Sequence, residues 1–370
     1  MTTKSRREFL EVVGGSAMAG ALAGSLTWTR QAQAEPKGDR PKIKIGQIGV
    51  GHAHASKLSV YRASPDYEVV GIVEPDPKLR QKAESQGPFK DLKWMTQEQL
   101  LNEPGLQAVL VETRVRDLLN AAEACVTAGK HVHLDKPAGE SLTQYRIILQ
   151  QAEKQKLMVQ MGYMFRYNPA VVLLRKCLTE GWLGDVFEVH AVMSKVVGAS
   201  SRKELAEYQG GIMFELGCHI LDLVIGVLGK PETVTPYSQH ASSIDDKLAD
   251  NMLAVLTYPR ATATVKSSAM EVEGGERRHL VVCGSEGTFH IQPLDNPSAR
   301  VAFSKPRGEF KQGYQDVTFP KYLRYGDDAA DMARVIRGEK SNDFSYEHDL
   351  TVQTTLLQAC GLPTGLEEAK

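Results

Sequence analysis

Charge of one sign is missing from this chain: 44 Lys and Arg stand against 45 Asp and Glu. Without a field of one sign, neither nucleic acid nor an acidic membrane is the default partner. Paired cysteines are missing too. Cys125, Cys177, Cys218, Cys283 and Cys360 are odd in number and scattered, with no C-x-x-C spacing. That excludes a zinc site built on cysteine, and a chain of this size does not need disulfide staples. Long apolar runs are also lacking. The best candidate runs from Val12 to about Leu26. It covers roughly 22 Å at ~1.5 Å per residue, short of the roughly 30 Å hydrocarbon core, so no stable membrane anchor is expected. What is plentiful is apolar surface. Hydrophobic residues make up 42% of the 370 and charged residues 24%, which argues against disorder and fits two packed domains.

The first 34 residues read as an address rather than as part of the fold. Arg6-Arg7 precede the weakly apolar stretch, and Ala32-Gln33-Ala34 is a small-residue cleavage signature. The segment resembles a twin-arginine export signal. That resemblance implies the export machinery as a partner, passage in the folded state around a cofactor acquired in the cytoplasm, and a periplasmic or otherwise exported destination. Residues 35–42 (EPKGDRPK) read as a linker.

From Ile43 to about residue 165, short apolar runs alternate with helical stretches. Strands are predicted at 43–48, 68–73, 107–112, 131–134 and 158–161, with helices near 54–63, 77–86, 96–102, 116–128 and 141–155. Apolar runs without alternation suit a parallel sheet covered on both faces, and the βαβ order predicts a Rossmann domain over 43–165. The pattern then changes. A helix near 168–180 starts at Asn168-Pro169, and runs at 185–197, 232–241, 250–258, 260–269, 278–284 and 286–291 read as strands of a large, mostly antiparallel sheet. Helices near 215–228, 326–337 and 346–360 complete an α+β domain over 166–370.

The first strand ends in Gly49-Val50-Gly51-His52-Ala53-His54. Gly49 supplies a tight turn, and Gly51 lets the backbone of the turn (with His52 and Ala53) approach a pyrophosphate at the following helix N-terminus. His54 stands where G-x-G-x-x-G has its third glycine. Glu74, at the end of the second strand, suits a ribose 2′-hydroxyl and repels a 2′-phosphate, so NAD is preferred over NADP. The H-x-H pairs His52/His54 and His131/His133 admit a metal hydrolase, but the intervening glycines fit phosphate better. No metal is expected, and His131 and His133 read as packed or hydrogen-bonded histidines.

Lys136, in Asp135-Lys136-Pro137, falls at a carboxyl strand end, facing the crevice where such sheets bind ligands. Further on, Glu215, His219 and Asp222 share a helical face at spacings of four and three in an otherwise apolar segment. With GVGHAH, GIVEPDP, AGKHVHLDKP, GYMFRYNP, GGIMFELGCHILD and the final ARVIRGEK…YEHDLTVQTTLLQACG, the chain resembles the Gfo/Idh/MocA oxidoreductases. The resemblance implies that Lys136 is the lysine of the family's Glu-Lys-Pro motif, with Asp135 in place of its Glu, and that His219 is the catalytic histidine. Glu215 falls where many members have Asp. Thr113 matches a family Thr whose following Pro-Asn is here Arg114-Val115.

The expected reaction is oxidation of a secondary alcohol of a sugar, cyclitol or related polyol by NAD. Lys136, its pKa lowered by burial and by the cofactor's charge, and His219, oriented by Glu215, would exchange the hydroxyl proton. Thr113 and Asp135 join the cofactor set. Tyr163, Arg166 and Tyr167 are candidate substrate contacts, Arg166 being equally well a structural ion-pair residue. An exported enzyme meets no free NAD, so the cofactor would stay bound. The alternatives are a redox-neutral NAD-dependent glycosidase or lyase of the same fold, and a binding protein that has lost catalysis. A homo-oligomer formed through the open sheet is a family expectation.

Overall fold

The computed structural model describes residues 26–28, 40–207, 209–321 and 323–365. Arg6-Arg7 and the cleavage signature lie outside them. Of the proposed leader, only Leu26–Trp28 is described. There β1 (Leu26–Thr27) lies parallel to the last strand of the large sheet, with Trp28 packed against Phe319.

The first domain is a five-stranded parallel sheet built from β2 (Ile43–Ile48), β3 (Tyr67–Val73), β4 (Leu106–Val111), β5 (His131–Leu134) and β6 (Val159–Met161), in the order β3-β2-β4-β5-β6. The predicted strands are all present within one residue at either end. Central β4 is buried at every position but Gln107, as a strand covered on both faces must be. One face carries helices Leu118–Thr127 and Leu142–Lys154. The other carries helix Leu58–Ala63 and, from far along the chain, helix Gly326–Ile336, whose Ala329, Met332 and Ala333 join Ile43, Ile45 and Tyr61 in one cluster. The chain therefore crosses back: the Tyr67 hydroxyl donates to Ala329 O at 2.7 Å, and Arg337 Nη1 reaches Asp66 Oδ1 at 2.5 Å.

The second domain opens where Asn168 caps helix Pro169–Thr179, its side chain accepting from the amide of Ala170 at 2.9 Å, a short polar cap followed by proline at the first helical position. Its sheet contains β7 (Val186–Val192), β8 (Thr233–Gln239), β9 (Asn251–Thr257), β10 (Thr262–Ser268), β11 (His279–Gly284), β12 (Gly287–Ile291), β13 (Ser298–Phe303) and β14 (Gly313–Thr318). With β1 the order is β1-β14-β13-β12-β11-β7-β10-β9-β8, antiparallel except for the β1/β14 and β7/β10 pairs. Strict alternation in β9 leaves one face inside and one outside. Sequence reading missed β13, β14 and the short helix Ala199–Leu205. β14 buries only Val317 and carries little apolar signal, whereas β13 buries every second residue, a pattern its sequence does show.

The predicted helix near 215–228 begins with a π-helical turn, Met213–Gly217, before regular helix Cys218–Leu228. The wide turn displaces Glu215 from the face that ideal spacing assigns it.

Candidate active site

Sheet register builds the site. Ile48, Val73, Val111, Leu134 and Met161 are cross-strand partners in one row. The next residue of each strand stands at the carboxyl edge, giving the row Glu74, Gly49, Glu112, Asp135, Gly162 across the sheet. Every position in it has a distinct job.

Gly49 has φ +94°, and a Cβ there would lie 2.5 Å from the amide nitrogen of Thr113. Only glycine fits this approach. The carboxylate of Glu74 accepts from the amides of Val50 and Asp76, both at 2.9 Å, and so braces the turn from the side. Gly51 and Ala53 are exposed residues, and their amides donate to no described residue. Beside them a cavity of about 780 Å³ opens at the ends of β2, β3 and β4, lined among others by Glu74, Thr113, Arg114 and Asn120. Free amides at a glycine turn, a carboxylate and an adjoining cavity fit a dinucleotide: amides for the pyrophosphate, Glu74 for the ribose.

His52 and Asp135, expected to touch the cofactor, are turned the other way. Asp135 is fully buried. Its Oδ1 accepts from the Lys136 amide at 2.7 Å and faces His54 Nδ1 at 3.2 Å; its Oδ2 lies 3.0 Å from Lys57 Nζ and 2.9 Å from His52 Nδ1. His52 Nε2 bonds Lys136 O at 3.0 Å. These side chains lock the glycine turn to the Asp135-Lys136 strand end. Gly162 makes room, since a Cβ there would lie 2.7 Å from Asp135 Oδ1.

Sequence reading also missed Lys57 and Glu112. Glu112 is buried next to Asp135 in the row, and two carboxyls so close do not both ionise. Lys57, from the turn after Gly51, answers both: its ammonium lies 3.0 Å from Glu112 Oε1 and 2.8 Å from His133 Nε2. Burial alone pulls the lysine's pKa down, and Asp135 with Glu112 outweighs it, so the ammonium is held. Burial and Asp135 push Glu112 well up. Burial also pushes Asp135 up, but His52, Lys57 and His54 bring it well below the usual carboxylate range. His131 and His133 are hydrogen-bonded, to the Met158 amide and to Gln160 at 2.9 Å each.

Lys136 points toward the second domain, with Nζ donating to Glu215 O at 2.9 Å and pairing with Glu215 Oε1 at 3.2 Å. This corrects two expectations. Glu215 serves Lys136, whereas Nδ1 of His219 is buried without a hydrogen-bond partner among the described residues. Burial depresses the Lys136 ammonium, yet Glu215 outweighs it and the net direction is up. His219 is walled by aromatic rings, Phe165 at 5.4 Å, His54 at 6.0 Å and Tyr163 at 6.1 Å between centroids. Burial, with Lys136 beside it, drives its pKa well below the ordinary histidine value.

The proposed substrate residues divide. Tyr163 stays in the wall around His219. Arg166 does not face the cleft: it is buried, paired with Asp222 at 2.6 Å and Asp349 at 2.5 Å, with His348 Nε2 on Asp222 at 3.0 Å. The Tyr167 hydroxyl donates to Asp331 at 2.9 Å. Asp222 thus belongs to a structural cluster, not to the Glu215–His219 group.

The family profile described as "Oxidoreductase family, NAD-binding Rossmann fold" matches residues 43–163, and that described as "GFO/IDH/MocA C-terminal domain" matches residues 171–290. The chain belongs to the Gfo/Idh/MocA oxidoreductases. Among curated members, this oxidoreductase is 24% identical over 268 residues to the uncharacterized oxidoreductase YdgJ of Escherichia coli K12, covering 70% of this chain and 74% of that one. It is 24% identical over 261 residues to scyllo-inositol 2-dehydrogenase (NADP(+)) IolW of Bacillus subtilis 168, covering 68% and 70%. A levoglucosan dehydrogenase solved with NADH and levoglucosan superposes with a TM-score of 0.73 at 17% identity, over 87% of this Gfo/Idh/MocA chain and 98% of that one.

Proposed function

We propose that this protein removes hydride from a secondary alcohol carbon of a sugar, cyclitol or related polyol and passes it to a retained NAD. The observation that carries this is the meeting of Lys136, Glu215 and His219 beside the glycine turn, with two titratable groups pushed in opposite directions. Such divergence assigns acid and base roles. Lys136, held charged by Glu215, stabilises the developing alkoxide and orients the hydroxyl. His219, kept neutral by burial and by its cationic neighbours, has the lone pair to take the hydroxyl proton. The aromatic wall of Tyr163 and Phe165 excludes water from that transfer. NAD, when bound, supplies the hydride acceptor. Glu74 supports NAD over NADP, because a 2′-phosphate would meet its carboxylate.

The test is incubation of the purified protein with sugars and cyclitols. Absorbance of the reduced nicotinamide is followed, and bound nucleotide is identified by mass spectrometry after dialysis. Reduced NAD appearing on the protein supports the reading. A protein that holds no dinucleotide and forms none of the reduced form sinks it. Export is proposed with it, on Arg6-Arg7 and Ala32-Gln33-Ala34. An Arg6→Lys/Arg7→Lys precursor is expected to stay in the cytoplasm, and unchanged export would remove that part.

A further inference from the structure

The strand β7 does not end its pairing at Val192. The amides of Met193, Lys195 and Val197 continue along β10 and its extension, donating to Lys266 O, Ser268 O and Ala269 O at 3.0, 3.0 and 2.9 Å. Side chains alternate on such a segment. Met193 and Val197 are buried at 1% and 5%, and Val196 is 59% exposed. The amides of Met193 and Lys195 bond carbonyls two residues apart along the same neighbour, so Lys195 shares the inner face with Met193. That face is covered by the turn Met213–Gly217 and the helix that follows, the elements carrying Glu215 and His219.

A lysine half-buried on an inner sheet face needs a partner. Lys195 has no ion pair and no side-chain hydrogen bond among the described residues, while its cationic neighbours are matched: Lys136 with Glu215, and Arg278 with Asp295 at 2.6 Å. Burial lowers its pKa; Glu215 acts against this, and Lys136 and Arg278 add to it. Arg324, exposed near His219, adds to the same sign at the rim.

We propose that Lys195 is the anchor for a carboxylate on the substrate, so that the polyol oxidised here is a sugar acid of the uronic or aldonic class. This deepens the reading above and rests on it for the position of the reacting carbon. A single unmatched half-buried ammonium balances a monoanion. Phosphate sites instead offer several donors at once, from backbone amides or arginine forks, and Lys195 brings only its own. On a sheet face covered by the elements that carry Glu215 and His219, the anchor would fix which hydroxyl faces His219.

The NAD-loaded full-length protein is titrated with D-glucose and D-glucuronate, D-galactose and D-galacturonate, D-glucitol and D-gluconate, and D-glucose 6-phosphate. Affinity is read by calorimetry and hydride transfer by absorbance in parallel. At least one acid is expected to bind roughly 10- to 100-fold more tightly than its neutral partner, the range of a charge-assisted contact. Lys195→Met should erase that preference and Lys195→Arg retain most of it, with melting temperatures confirming that both variants fold. The proposal is overturned if the neutral sugars bind as well as the acids, if no acid binds, if the phosphate ester binds best, or if Lys195→Met keeps the preference. Neutral sugars reducing NAD without any acid preference would leave the oxidoreductase reading intact and remove this one. Lys195-dependent acid binding without hydride transfer would do the reverse.

Discussion

The ammonium of Lys57 lies 3.0 Å from the carboxylate of Asp135, both fully buried beneath the glycine turn. One residue belongs to the segment that follows the glycine turn, the other to the strand end that presents Lys136. Their pairing ties the two halves of the site together. Removing the cation takes from the buried Asp135 carboxylate one of its partners, and breaking a buried pair costs about 3–5 kcal/mol. Lys57→Met should therefore lose that much stability in urea titrations. A Lys57→Met protein as stable as the parent would contradict the arrangement.

Gly49→Ala places a methyl 2.5 Å from the Thr113 amide nitrogen at a φ of +94°. Backbone must shift on one side, at about 1–3 kcal/mol of strain. The turn is expected to bind NAD at least tenfold more weakly by fluorescence titration, and unaltered binding would show that the turn is not the cradle.

Glu74 predicts the cofactor. NAD(H) should bind more tightly than NADP(H), and Glu74→Ser should narrow the gap. Calorimetry with both nucleotides decides it; tighter NADPH binding to the parent protein would reject the role of Glu74.

Lys136→Ala and His219→Ala should each lower turnover by about 10²–10⁴ while leaving NAD affinity within a few fold. Glu215→Gln makes a finer prediction. Glu215 raises Lys136, so its neutralisation should move the basic limb of the kcat/KM profile to lower pH. If Glu215 acted on His219 instead, the acidic limb would move and the basic limb would stay.

Burial pushes His54 down to about 4 and His133 down to about 3, and drives His219 down as well. Unfolding restores them to near 6.5, so below that pH the unfolded chain takes up protons the folded one refuses. Their contribution is whole above pH 6.5 and declines toward pH 4, at up to about 1.4 kcal/mol per pH unit for each histidine. Glu112, Asp349 and Asp328, the last pushed up to about 7, are raised by burial and oppose this above the ordinary carboxylate range. The histidine part is therefore read ring by ring: by NMR, the His54 and His133 imidazoles should stay neutral at pH 5.5. Either ring charged at that pH would refute the assignment.

Both sheets, the glycine turn and the strand-end lysine were legible in the sequence because each leaves a local mark. Fully buried parallel strands read as apolar runs, half-buried antiparallel ones as alternation, and a tight turn as glycine. For Arg166 the sequence left two readings open, substrate contact and structural ion pair, and the structure bears out the second. Its place depends on Asp222 and Asp349, which no spacing connects to it. Lys195 was hidden for a related reason, since one lysine after a strand looks solvated until its inward register is known.

The order of residues by itself fixed the architecture and the presence of Gly49, Lys136 and His219, since periodicity and turn chemistry act between neighbours along the chain. Tertiary structure decided who partners whom. Strand register set Glu112 beside Asp135, the π turn handed Glu215 to Lys136, and burial then chose which groups keep their charge. Those outcomes follow from desolvation and Coulomb forces over a few ångströms in space, distances that do not exist until the chain has folded.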